Sequence, residues 1–201
     1  MSPSGGLRLG VLGSGKGSNL HAIFRAIDHG RVVATVGVIL SDVPDAGILQ
    51  IGRSRRVRAE YVCPGASKAR LDSEGEQAMV TALEQEDVEL VVLAGFMRIV
   101  GPRLLAAFPR RIINVHPSLL PKYPGLRAWE QALTAQERMA GCTVHYVDEG
   151  VDTGEIIAQS EVGVMPNDSA QTLHYRIQEA EHVLYPEVIG SLARQGISKV
   201  G

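Results

Sequence analysis

Apolar and polar positions fall in blocks along the chain, and the spacing inside each block predicts its element. "LRLGVLG" (Leu7 to Gly13) is a short apolar run that stops at the glycine-rich turn "GSGKGSN". "LHAIFRAI" follows with apolar residues at helical spacing, at Leu20, Ile23, Phe24 and Ile27, and is closed by Gly30. "VVATVGVIL" (Val32 to Leu40) is continuous and β-branched, as expected of a strand covered on both faces. Three more strands are expected at Ala59 to Cys63, Val88 to Ala94 and Arg111 to Val115. Helices are expected between them, at Asp45 to Ser54, Asp72 to Gln85 and Pro102 to Ala107. Strands alternating with helices predict an α/β domain with a mostly parallel, twisted sheet flanked by helices.

The last third has a different rhythm. "GCTVHYV" and "EIIAQSEV" flank the turn-rich "DEGVDTG" and predict two strands, read as antiparallel, toward the C-terminus. A long C-terminal helix is expected from an N-cap at Ser169 to Arg194, with Pro186 as a kink or break. No linker or repeat divides the chain, so residues 1–201 are read as a single domain. With 201 residues, 45% of them apolar, the chain can bury a substantial core. A net charge of -2 gives no global attraction to nucleic acid or to an anionic membrane. The opening "MSPSGG" lacks the basic and apolar regions of a secretory signal, and no apolar run reaches membrane-spanning length. Cys63 and Cys142 are read as reduced thiols of a cytoplasmic protein.

Candidate chemistry starts at "GSGKGSN". Backbone N–H groups at a glycine-rich turn and a helix N-terminus form an anion site, so Gly15, Lys16, Gly17, Ser18 and Asn19 are candidates to bind phosphate. Two nucleotide motifs nearly match and both fail, because Gly17 stands where a P-loop needs Ser or Thr and Ser18 replaces the third glycine of a dinucleotide fingerprint. Asp42, after the second strand, reads either as a ribose-binding acid or as part of an ordinary turn.

The stretch "INVHPSLLPKYPG" leaves a strand through a stiff polar segment. Asn114 and His116 are two apart at a strand end, so in extended backbone they point the same way. An amide donor beside an imidazole suits acyl chemistry, holding an oxyanion and moving a proton; the other reading is a loop histidine beside a turn-forming asparagine. Prolines 117, 121 and 124 stiffen this frame, and Leu120–Pro121 is a candidate cis bond. "DEGVDTG" offers Asp148, Glu149 and Asp152, one of which could orient His116, and spacing alone does not choose among them. Glu181 falls within the apolar stripe of the last helix, which calls for a partner, either a cationic ligand group or a nearby Arg or Lys. His145 reads as a satisfied near-core histidine and Trp129 as helix packing. The six histidines form no metal-ligand spacing, so no metal is expected.

Taken together and in order, "GSGKGSNL", "VVLAGFMRIV", "INVHPSLLPKYPG", "GCTVHYVDEGVDTGEII" and "EAEHVLYP" resemble the folate-dependent phosphoribosylglycinamide formyltransferase family, over about Leu7 to Gly196. The resemblance implies a Rossmann-like sheet and transfer of the formyl group of 10-formyltetrahydrofolate, the co-substrate, to the amine of glycinamide ribonucleotide (GAR) in de novo purine biosynthesis. It places the catalytic residues at Asn114, His116 and Asp152, and the phosphate loop at Gly15, Lys16, Gly17, Ser18 and Asn19. Arg70, with Lys68 as the alternative, would complete the phosphate and ribose side, and Glu181 would receive the substrate amine. Arg98, Ile99, Val100, Val147, Asp148 and Asn114 would line the folate pocket. The phosphosugar half would run from about 7 to 100, and the catalytic and folate half from about 101 to 196. The implied partners are these small molecules, with no nucleic acid and no membrane, for a cytoplasmic monomer or homodimer.

Lys16 and Trp129 depart from the family pattern, where a polar residue such as Asn and a His are more usual. Formyltetrahydrofolate deformylase and methionyl-tRNA formyltransferase share parts of the pattern but are expected to carry extra domains. A silent phosphosugar-binding protein would not need the catalytic trio, and a dinucleotide-dependent oxidoreductase would need the glycine pattern that is broken here.

Overall fold

The structure, a computed structural model, describes residues 6–196 except Lys68. The polar arm at residues 1–5 and Lys68, the alternative phosphate ligand, lie outside the described residues.

Seven strands form one sheet. They are β1 (Leu7–Leu12), β2 (Ala34–Ser41), β3 (Arg58–Tyr61), β4 (Leu90–Leu93), β5 (Ile112–His116), β6 (Met139–Tyr146) and β7 (Ile156–Gly163). Their order across the sheet is β3-β2-β1-β4-β5-β6-β7. The first five are parallel, while β6 runs antiparallel to β5 and β7 antiparallel to β6, as the pattern predicts. The chain passes from β1 outward to β2 and β3, then returns to place β4 on the other side of β1. Loops leaving the carboxyl ends of β1 and β4 therefore diverge, and the crevice between them is where open α/β sheets bind ligands.

Among the described residues six helices cover the sheet: α1 (Ser18–Asp28), α2 (Gly47–Ser54), α3 (Ser73–Gln85), α4 (Pro102–Ala107), α5 (Ala128–Thr134) and α6 (Ala170–Gln195). The alternating strand pattern divides the core into two. On one face Leu9, Val11 and Ile113 pack with Leu20 and Ile23 of α1, Ile48 of α2 and Ile177 of α6. On the other, Leu12, Val38 and Val91 pack with Met79 and Leu83 of α3 and Leu104 of α4. Gly10 lets α3 approach β1, since a Cβ there would lie 2.2 Å from Leu83 Cδ2. Buried Glu76 on α3 accepts from the Leu104 N–H at 3.1 Å and so anchors the start of α4, just past the wall of the crevice.

Expected element boundaries move by two residues at most, and His116 belongs to β5 itself rather than to the loop after it. Ser169 caps α6 through a reciprocal capping box with Thr172. The expected break at Pro186 does not occur, because α6 continues through it for 26 residues while packed on the sheet. Leu120–Pro121 is cis, and both cysteines are free. No helix among the described residues is long and apolar enough to cross a membrane.

Next to Pro186, fully buried Tyr185 reaches from α6 into the sheet. Its hydroxyl lies 3.0 Å from both the Leu93 carbonyl, at the end of β4, and the Ile113 carbonyl, inside β5. We expect Tyr185→Phe to destabilise the fold by about 1–2 kcal/mol, because a hydrogen bond is lost inside the core. Urea unfolding would show this as a lower midpoint with unchanged slope; an unchanged midpoint would mean that the contact contributes nothing.

Candidate active site

Asn114 and His116 enter the crevice from β5, and their antiparallel partners on β6 are His145 and Thr143. Asp152 arrives from the turn between β6 and β7 with left-handed backbone (φ 56). That conformation turns its carboxylate back over β5, where four groups meet it. Asp152 Oδ2 accepts from the Gly125 N–H at 2.8 Å and lies 3.2 Å from His116 Nδ1. Asp152 Oδ1 lies 3.4 Å from Asn114 Nδ2 and 3.5 Å from His145 Nε2. The structure thus selects Asp152 from the three acids of "DEGVDTG". Asp148 instead holds its own turn, accepting from the Gly150 N–H and the Thr153 hydroxyl.

His116 is buried with an acceptor at each ring nitrogen, Asp152 at Nδ1 and the Tyr123 carbonyl at Nε2, 2.9 Å away. Only the imidazolium can donate to both. Burial opposes that charge and is the largest influence on the ring; Asp152 and the Tyr123 carbonyl favour the charge, and His145 disfavours it. The net result is a His116 pKa below the ordinary histidine value. Asp152 therefore raises the affinity of His116 for its proton, but less than burial lowers it. Burial pushes the Asp152 carboxyl up, yet His145, the His116 charge and the Gly125 N–H together hold it below its ordinary value.

His145 fixes the amide of Asn114. Its Nδ1 faces the Tyr146 carbonyl at 2.8 Å and must donate, which leaves the Nε2 lone pair of the neutral ring to accept from Asn114 Nδ2 at 3.2 Å. This tautomer is inferred from the bonding pattern. It makes Asn114 the hydrogen-bond partner of His145 Nε2 while the ring is neutral; only the charged ring donates from Nε2 to Asp152, and it is in that form that His145 stabilises the carboxylate. One amide hydrogen goes to His145; the other has only the long contact to Asp152, which a better-placed acceptor can displace. His145 is buried and satisfied as expected, and what pairwise spacing missed is that its partners are catalytic candidates. The cross-strand pairing of His145 with Asn114 is the only signal of this, and it requires the register of β5 on β6.

The trio lies on a cleft of about 510 Å³ whose walls include Phe96 to Val100, Val147, Asp148 and Gly125. Every residue expected to line the folate pocket is present: Arg98, Ile99, Val100, Asn114, Val147 and Asp148. The guanidinium of Arg98, however, is engaged by Asp42 at 2.7 Å and by the Ser67 carbonyl. Trp129 also lines the cleft, so it is more than helix packing. Its ring stacks on His174 of α6, with centroids 3.7 Å apart and planes within 2°.

The glycine loop lies beyond the cleft wall. Gly17 precedes α1 in left-handed backbone (φ 82) and contributes no side-chain cap, leaving the first-turn N–H groups of α1 available to an anion. Lys16 is exposed. Asn19 is buried, and its Nδ2 donates to Glu181 Oε2 of α6 at 2.9 Å. The partner of Glu181 is thus an amide rather than an Arg or Lys. The Oδ1 atom of Asn19 is buried and without a hydrogen-bond partner. Burial raises the Glu181 carboxyl to about 7, with the Asn19 bond pulling the other way. An unsatisfied acceptor beside an uncompensated acid is a place for a ligand that brings donors. Arg70 is exposed, with its backbone bridged to Ile99 on the cleft wall.

Comparison with known proteins shows the family. The formyl transferase family profile matches residues 7–189. Phosphoribosylglycinamide formyltransferase of Bacillus subtilis is 39% identical over 185 residues, covering 92% of this chain and 94% of that protein. The trifunctional purine biosynthetic protein adenosine-3 of Drosophila pseudoobscura pseudoobscura is 40% identical over 193 residues, which are 96% of this chain and 14% of that longer protein. Glycinamide ribonucleotide transformylase 1 of Symbiobacterium toebii superposes with a TM-score of 0.89 at 44% identity, covering 94% of this chain and 88% of that one. The chain belongs to the formyl transferase family.

Proposed function

We propose that this cleft transfers the formyl group of 10-formyltetrahydrofolate to the amine of glycinamide ribonucleotide, giving formyl-GAR and tetrahydrofolate in purine biosynthesis. The observation that carries the assignment of roles is the convergence of Asn114, His116 and Asp152 at one end of the cleft. The setting proposed is the cytoplasm, in keeping with the purine-biosynthetic relatives, with the protein acting as a monomer or homodimer.

The reaction forms a bond from the GAR nitrogen to the formyl carbon, and the carbonyl oxygen becomes an oxyanion. The free amide hydrogen of Asn114 and an N–H of His116 stabilise it. When His116 carries its second proton, the Nε2–H directed at the Tyr123 carbonyl is the donor the oxyanion takes over. Asp152 keeps that proton on the ring and receives the amine proton through water. Collapse of the intermediate breaks the carbon–nitrogen bond to the folate, whose nitrogen leaves with a proton. Phosphate binds the N–H groups of Gly15 to Asn19, with Lys16 and Arg70 as the cations of that side, and Glu181 with Asn19 receives the amine end. The residue 7–100 and 101–196 halves both contribute, since Asn19 meets Glu181 and the Arg98 wall faces Asn114.

The test follows folate absorbance with 10-formyltetrahydrofolate, in the presence and absence of GAR. Formyl transfer predicts a change that requires the amine; the same change without GAR would mean hydrolysis and overturn the proposal. Asn114→Ala, His116→Ala and Asp152→Ala should each lower turnover by about 10²–10³-fold, the usual cost of a lost oxyanion donor. Near-normal turnover in folded His116→Ala would refute its role.

Glu181 generates a pH prediction. Its carboxyl titrates near 4.5 when unfolded and at about 7 when folded. Between those values the folded state holds a proton that the unfolded chain has released, so stability is lost as pH rises through this window. The loss is about 3 kcal/mol, because each tenfold difference in proton affinity between the two states is worth about 1.4 kcal/mol. Glu181→Gln keeps an acceptor for Asn19 and removes the titration. In the absence of ligands, its stability relative to the parent should rise from pH 4.5 to pH 8, while its affinity for GAR falls. Parallel pH profiles for the two proteins would contradict this.

A further inference from the structure

Asp42, at the carboxyl end of β2, remains outside the roles assigned above. Its side chain is 3% exposed, and both of its oxygens are engaged. Oδ1 accepts from the Ser14 hydroxyl at 2.5 Å, and Oδ2 from Arg98 Nε at 2.7 Å. The Ser14 hydroxyl also accepts from the Met97 N–H at 2.9 Å, and the Ser14 N–H donates to the Gly95 carbonyl at 3.0 Å. Arg98 donates onward to the Ser67 carbonyl. One carboxylate thus joins the loops that follow β1, β2 and β4.

Its place explains why the join matters. Ser14 directly precedes Gly15, where the phosphate loop begins, and Met97 directly precedes the Arg98–Val100 wall of the folate cleft. Loops at strand ends are ordinarily the more mobile parts of such a domain. Here the hydrogen bond between Ser14 and Met97 lies one residue from each substrate's binding segment. The Asp42–Arg98 pair reinforces it, because charge-assisted bonds to a buried carboxylate are stronger than neutral ones. Neither Asp42 nor the Ser14 hydroxyl need touch a substrate for this to operate. Buried and bonded at both oxygens to protein donors, Asp42 is placed as a tie between loops rather than as a ribose-binding acid.

We propose that Asp42, acting through Ser14 and Arg98, is a positioning residue that couples the phosphate loop to the folate wall, so that each substrate binds more tightly when the other is present. The proposal rests on the substrate assignment above. When a phosphate orders the glycine loop, the shared bonds hold the wall in its binding form, and the folate then has less ordering left to do. Linkage requires the effect to be reciprocal.

The test is calorimetric titration with tetrahydrofolate, which carries no formyl group to transfer, in the presence and absence of saturating GAR. In the parent protein GAR should tighten tetrahydrofolate binding by at least about 5-fold, the lower range of typical site-to-site coupling. Ser14→Ala leaves the Asp42–Arg98 ion pair and the Ser14 N–H bond to Gly95 in place and removes the hydroxyl that links Asp42 to the Met97 N–H. It should bring the ratio of the two affinities to within about 2-fold of unity, and Asp42→Asn should do the same. General damage to the fold would weaken both titrations and leave their ratio unchanged. An uncoupled parent protein, or variants as strongly coupled as the parent, would overturn the proposal. Failure of GAR to bind the parent protein at all would overturn the substrate assignment and this coupling with it.

Discussion

One carboxylate organises the active end of this molecule. Asp152 draws together the Gly125 N–H, the rings of His116 and His145, and the Asn114 amide, from three separate parts of the chain. Each of those partners is costly to bury alone: a histidine with an acceptor at both nitrogens, an asparagine amide at the end of β5, and a glycine N–H in an irregular loop. Around Asp152 the demands are met together, since the same oxygens that satisfy the donors bias His116 toward its cation. The left-handed backbone at Asp152 is what lets the turn reach back over β5.

Everything else at the site is arranged by the sheet. Because β4 returns to the far side of β1, the loops that follow these two strands open a crevice between them, and the antiparallel turn after β6 closes over it. Formyl transfer needs two substrates brought to one carbon, and the two walls we propose for them are the glycine loop with Asn19 and Glu181, and the Phe96–Val100 segment. Asp42 spans the two walls. Rigid elements thus carry the reacting groups, while the binding surfaces sit on loops tied together by a few charge-assisted bonds.

Much of this was legible in the chain itself. The apolar runs of β1, β2 and β4 mark strands buried on both faces, and the Ser169 cap marks the start of α6. The period of two placed Asn114 beside His116, and the helical period placed Glu181 on a buried face. What stayed hidden depends on contacts through space. Spacing could not choose Asp152 over Asp148 and Glu149, because the choice is made by a positive φ and a distant strand. His145 looked like a core residue because its role comes from the β5–β6 register. Arg98 does line the cleft, but its guanidinium belongs to Asp42, 56 residues earlier in the chain. The helix passes through Pro186 because packing on the sheet outweighs the hydrogen bond that proline removes.

The central claim is that Asp152 sets the charge on His116 against the burial that would remove it. Its most direct measurement is an NMR titration of the His116 ring in the parent protein and in Asp152→Asn, which keeps the size of the side chain and removes its charge. The account predicts that the His116 pKa, already below the ordinary histidine value, falls further in the variant. An unchanged or higher pKa would contradict it, and would mean that Asp152 does not govern the proton on which formyl transfer depends.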